Sequence, residues 1–90
     1  MDFEWDEEKA TTNLRKHKVD FEEAATVFAD FLSSTFPDPD HSVDEDRYIT
    51  IGTSERGRVL IVSHTNREGA IRIISARKAT PRERKTYEEG

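Results

Sequence analysis

The chain contains no cysteine. Disulfides and thiolate zinc sites are therefore excluded as supports for its core, and so is a cysteine nucleophile. Its four glycines are scattered at positions 52, 57, 69 and 90, so the glycine-rich loops that cradle phosphates or dinucleotides are absent. No apolar run approaches the length of a membrane span, and the acidic amino terminus "MDFEWDEEKA" lacks the basic-then-apolar layout of a secretory signal. These absences make a soluble cytoplasmic protein the expectation. At 90 residues, 33% hydrophobic and 37% charged, the chain suits one small domain over residues 1–90, with a modest core held by ordinary packing.

Metal and cofactor chemistry find no motif either. His17, His41 and His64 are far apart, and none has the i, i+4 partner of a helical zinc site. The segment "DPDHSVDE" superficially resembles a calcium loop, but an EF-hand register starting at Asp38 puts Val43 where glycine is needed and Ile49 where the bidentate glutamate belongs. No cofactor and no metal are expected.

What is present is charge, unevenly distributed. Residues 1–46 hold 4 Lys and Arg against 14 Asp and Glu, and residues 47–90 hold 10 against 5, so halves of net −10 and +5 make up the total of −5. The basic half can attract phosphate, or its charges can be self-compensating surface ion pairs.

Local signals give an element order. "FEW" reads as an edge strand over Phe3 to Trp5, and "WDEEKATTNLRKHKV" as a helix with Asp6 as N-cap, acids in its first turn and Arg15, Lys16 and His17 in its last. A second helix starts at Asp20, which with Glu23 has capping-box spacing; Val19 and Ala24 can staple across it, and Phe21, Ala24, Val27 and Phe28 form its apolar stripe. An irregular acidic stretch follows, able to pair briefly around Ser34 to Phe36. Three strands, "RYITIGTS", "GRVLIVSHT" and "AIRIISARK", are separated by turns containing Gly57 and Gly69, which predicts an antiparallel meander. Its middle strand is apolar on both faces, so both faces need cover. "TPRE" then starts a short helix, with Thr80 as N-cap, Pro81 at the first position and Glu83 closing a capping box. The predicted fold class is α+β, with an antiparallel sheet packed against two N-terminal helices and a short C-terminal helix.

Arginines on strands are the most informative candidates. Glu45 and Arg47 lie two residues apart on an extended segment, roughly 7 Å, and so share a face. Strict alternation likewise groups Ile71, Ile73, Ser75 and Arg77 on one face, with Arg72 and Lys78 on the other. An arginine on an apolar strand face either closes a salt bridge, such as Arg77 to Glu45, or waits for an anion.

Three blocks, "FEWDEEKATTNLRKHKVDFEEAATVF", "HSVDEDRYITIGTSERGRVLIV" and "IRIISARKATPRERKTYE", together resemble the BrnT family of type II toxins, small ribonucleases of RelE-like fold. The resemblance spans nearly the whole chain, most specifically in "ISARKA" followed by "RE" and a tyrosine. One departure is Lys18, where the family usually has a glycine after "KH". The resemblance implies a ribosome-independent or free-RNA endoribonuclease neutralised by a BrnA antitoxin.

RNA cleavage without a metal uses the substrate's 2′-hydroxyl as nucleophile and needs a base, an acid and cations around the phosphate. Arg77 and Arg47 are the expected clamp, Glu45 the base, and His41 or His17 the acid, although a histidine at a helix end also serves the dipole. Arg58, Arg72, Lys78 and Arg82 are the candidate RNA contacts, Arg72 and Lys78 being otherwise plain solvated charges; Tyr87 can stack on a base but its helix spacing favours a core anchor, as Trp5 also reads. The expected partners are RNA and a BrnA-like antitoxin, which carries the DNA-binding element while this chain binds no operator alone; the toxin can be dimeric in a heterotetramer with it. The competing reading is a non-catalytic RNA- or protein-binding module of the same fold.

Overall fold

A computed structural model describes residues 1–38, 40 and 46–90. The chain runs β1 (Asp2–Trp5), α1 (Glu7–His17), α2 (Phe21–Thr26), a 3₁₀ turn (Val27–Ala29), β2 (Ser34–Pro37), β3 (Arg47–Thr53), β4 (Val59–Arg67), β5 (Ala70–Lys78) and α3 (Pro81–Glu89). The five strands form one sheet in the order β1-β5-β4-β3-β2. Three of its pairings are antiparallel, two of them the predicted meander of β3, β4 and β5 and the third that of β2 with β3, while β1 joins the edge of β5 in parallel.

Capping explains where the helices begin. Asp6 accepts from the backbone N–H groups of Glu8 (2.8 Å) and Lys9 (3.2 Å), and Asp20 accepts from that of Glu23. α1 ends on Lys18 at φ 61°, the left-handed conformation that glycine would adopt without strain, and its N–H reaches Leu14 O. Gly57 and Gly69 take positive φ in the two hairpin turns, as expected of them.

α2 and the 3₁₀ turn cover one face of the sheet. Val19, Phe21, Ala24 and Val27 are buried there against Leu60, Val62, Ile73 and Ala76, and Trp5 packs edge-on to Phe21 at 6.0 Å. Gly52 is what lets the 3₁₀ turn approach β3 so closely, since a Cβ there would meet Val27 Cγ1 at 2.8 Å. β1 stops at Trp5, opposite Ile73, and α1 takes over the edge of β5 beyond it. Asn13 acts as a surrogate strand: its amide donates to Ala76 O (2.8 Å) and Val19 O (3.0 Å) and accepts from Ala76 N (3.1 Å).

A register shift decides what the other face carries. Ser63 pairs with Ser75 but His64 pairs with Ile73, leaving Ile74 as an extra residue in β5. Alternation therefore breaks inside this strand. Ile71 and Ile73 face the helices with Ala76, whereas Arg72, Ser75 and Arg77 share the opposite face; the uninterrupted alternation expected from sequence had grouped Arg77 with the isoleucines and separated it from Arg72. Among the described residues only α3 packs on that second face, at one end of it.

Candidate active site

The second face holds a cleft of about 1020 Å³. Its floor is Ile49, Ile51 and Ile61, one wall is α3 with Glu83 and Tyr87, and the opposite rim is Phe31, Leu32 and Phe36. Arg77 stands at the head of the cleft beside its cross-strand neighbour Ile61, with Arg82 on the α3 wall. Arg77 reaches this position because the bulge in β5 turns it out of the core.

Arg77 is held by Glu83. Nη1 and Nη2 donate to the two carboxylate oxygens at 2.8 and 3.0 Å, and Nη1 also reaches Lys78 O at 3.3 Å. The Arg77 bond, reinforced by the backbone N–H of Thr80, holds the Glu83 carboxyl at about 2 despite partial burial. The same bond pushes the Arg77 guanidinium above its ordinary value, so it stays charged at any working pH. The side chain remains 41% exposed.

Lower on the wall, the Tyr87 hydroxyl donates to Asp30 and shares a 3.0 Å hydrogen bond with Thr53 Oγ1. Burial works to raise the Asp30 carboxyl, but the bonds from Tyr87, Thr53 N and Leu32 N outweigh it and hold it below the usual range. Burial, followed by the Asp30 bond, raises the Tyr87 phenol. Tyr87 is thus a polar tether of α3 rather than a core anchor.

The other sequence candidates are dispersed. Arg47 begins β3, half-buried and paired in register with Thr65, which puts it on the second face in the same row as Arg72. Arg72 donates to Glu4 of β1 at 3.1 Å. Lys78 is exposed at the end of β5 opposite Leu60. His17 sits away from the cleft, in a depression of about 350 Å³ with Lys9, Lys16 and Ser75. His41 and Glu45 lie outside the described residues, so the proposed Arg77 to Glu45 bridge has no counterpart among them; Glu83 is the partner Arg77 has there.

Arg58 is committed to architecture. Its Nε donates to Glu23 at 2.9 Å, its Nη2 donates to the other oxygen of Glu23 and reaches Lys18 O at 3.1 Å, and the Glu23 side chain is only 1% exposed. Ser54 Oγ adds a bond at 2.7 Å, and the Arg58 bond foremost holds the Glu23 carboxyl below its usual value against the opposing effect of burial. Glu23 is therefore turned inward, and the capping box expected with Asp20 is only half made. His64 is buried too, stacked near Tyr48 and edge-on to Phe28, with Nε2 bonded to Thr50 and burial lowering it to about 4.

Glu83, Asp30 and the polar role of Tyr87 were missed from sequence. Glu83 carried a signal, the capping-box spacing, which explains its backbone bonds and hides its reach to Arg77. Asp30 carried none.

Residues 5–83 match the family model described as ribonuclease toxin, BrnT, of type II toxin-antitoxin systems. Among solved structures the chain is similar to the crystal structure of the Brucella abortus ribonuclease toxin BrnT, at 28% identity and a TM-score of 0.70, covering 89% of this chain and 97% of that one. A search of curated protein sequences gave no match. Because the family model takes in both the helices that cover the sheet and the strand-to-helix turn that carries Arg77 and Glu83, the chain belongs to the BrnT family of ribonuclease toxins of type II toxin-antitoxin systems.

Proposed function

We propose that this toxin cleaves RNA without a metal ion, through the substrate's own 2′-hydroxyl, on the sheet face headed by Arg77. One observation carries the reading: the bulge in β5 sets a permanently charged, half-exposed guanidinium at the mouth of the cleft instead of in the core. A phosphate approaching its five-coordinate transition state needs such fixed donors, and the apolar floor of Ile49, Ile51 and Ile61 lowers the polarity around them. Arg77 clamps the phosphate, Arg47, on the same face in the row of Arg72, extends the cationic track, Glu45 takes the proton of the 2′-hydroxyl, and His41 supplies one to the leaving 5′-oxygen; His17, in its separate depression, does not. Arg72, Lys78 and Arg82 contact the backbone on either side, whereas Arg58, held by Glu23, does not. Incubating the protein with RNA in excess chelator tests the mechanism: products ending in a 2′,3′-cyclic phosphate, with DNA spared, are expected. Cleavage lost to chelator and restored by magnesium would sink it.

A toxin of a type II system has an antitoxin partner. Its identity here is BrnA-like, and its docking surface is the apolar rim of the cleft with the outer edge of β2. Support comes from Phe31, Leu32 and Phe36, large exposed side chains gathered beside an edge strand whose four residues are all exposed. The antitoxin carries the DNA-binding element, and the working compartment is the cytoplasm. Phe36→Lys should abolish co-purification with the antitoxin at an unchanged melting temperature; retained co-purification would move the interface elsewhere.

A further inference from the structure

The stretch "TPRE" reads from sequence as nothing more than the start of a helix. In the fold its glutamate belongs to two structures at once. Glu83 Oε1 accepts from the backbone N–H of Thr80 at 2.8 Å, while Thr80 Oγ1 accepts from the backbone N–H of Glu83 at 3.1 Å, a complete capping box. The same carboxylate takes both terminal nitrogens of Arg77 in a bidentate pair. A capping glutamate ordinarily leaves its remaining lone pairs to water. Here they fix an arginine.

Counting donors shows what is left over. A guanidinium has five N–H groups in a rigid plane. Nη1 uses two, on Glu83 Oε1 and Lys78 O, and Nη2 uses one, on Glu83 Oε2. Among the described residues the Nε–H and the second Nη2–H have no acceptor, and these two are parallel along the side of the plane. That side-on fork matches two oxygens of one phosphate. Glu83 takes the end of the guanidinium and leaves the side.

We propose that Glu83, itself held by Thr80, is a positioning residue that presents the side-on fork of Arg77 to the scissile phosphate. The inference rests on the reading of Arg77 as phosphate clamp given above. A long side chain free to change rotamer would have to be ordered at each turnover; one pinned end-on by a carboxylate that is pinned to a helix terminus is already ordered. The capping box transmits the rigidity of α3 to the arginine.

The test compares Glu83→Gln, Thr80→Ala, Thr80→Ser, Arg77→Ala and the double variant Arg77→Ala/Glu83→Gln, measuring kcat and KM for RNA cleavage alongside the melting temperature. Glutamine keeps the length and the cap but weakens the grip on Arg77, so kcat should fall about 10-fold or more with the protein still folded. Thr80→Ala should fall in the same direction and Thr80→Ser should recover. On the Arg77→Ala background, Glu83→Gln should cost nothing further, because there is no guanidinium left to position. Glu83→Gln cleaving at the wild-type rate per folded molecule would overturn the inference and leave Glu83 a helix cap. Faster cleavage would also overturn it, by showing that Glu83 masks Arg77. Arg77→Ala cleaving normally would instead remove the clamp reading on which both stand.

Discussion

Arg58→Ala separates architecture from RNA binding most cleanly. The substitution removes three donors at once: two from the carboxylate of Glu23 and one from Lys18 O. Glu23 cannot turn to water, since it is 1% exposed, and keeps only the Ser54 hydroxyl and the more distant Arg56 guanidinium at 3.7 Å. Breaking a buried pair on one side destabilises by about 3–5 kcal/mol, and the residual partners favour the lower end, about 3 kcal/mol. For a domain of this size that lowers the melting temperature by roughly 12–24 °C. The pH dependence gives a second signature. Glu23 has its folded value depressed below 4.5, so its contribution is fully present above that pH and is lost as pH falls through the folded value. The gap between wild type and variant should therefore narrow in acid. Thermal melts followed by circular dichroism between neutral and acid pH measure both effects. RNA affinity of the folded fraction, and its slope against salt, should be unchanged, whereas loss of a phosphate contact would flatten the slope by about 0.7. A variant that melts within about 3 °C of wild type and binds RNA with a flatter slope would refute the reasoning and return Arg58 to the RNA track.

Other elements make their own predictions. His64 is neutral and buried with its folded value near 4, so stability is complete above its unfolded value of 6.5 and declines as pH falls toward 4, by up to roughly 3 kcal/mol; the decline should be absent in His64→Gln melts. Asn13→Ala leaves the N–H and C=O of Ala76 and the C=O of Val19 unpaired in the core, and should cost about 3 kcal/mol in urea unfolding. Lys18→Gly relieves the left-handed backbone at φ 61° while the carbonyl that Arg58 uses is kept, and should raise stability by about 1 kcal/mol in the same assay.

Short-range chemistry was legible in the sequence. The caps at Asp6, Asp20 and Thr80, the glycine turns at 57 and 69 and the two-sided β4 all depend on neighbours within a few residues, and the structure carries each of them. The resemblance to the BrnT family rested on contiguous blocks and was equally readable. The parallel docking of β1 on β5 was not, because an edge strand gives no sign of which partner it joins or in which direction. Nor was the bulge at Ile74: one extra residue in a strand changes no residue type, yet it reverses every later side chain, and it is what takes Arg77 from the face of Ile73 to that of Arg72.

Charges divided in the same way. The sequence by itself determined that the carboxy-terminal half is rich in arginine, that a capping glutamate follows Arg77 and that the fold is α+β. Only the tertiary structure decided which arginine meets which acid. Arg58 finds Glu23 across 35 positions and Arg72 finds Glu4 across 68, pairings set by how the sheet is ordered and how α2 lies on it. An ion pair is made by distance in space, and separation along the chain does not encode that distance until the strands have been ordered.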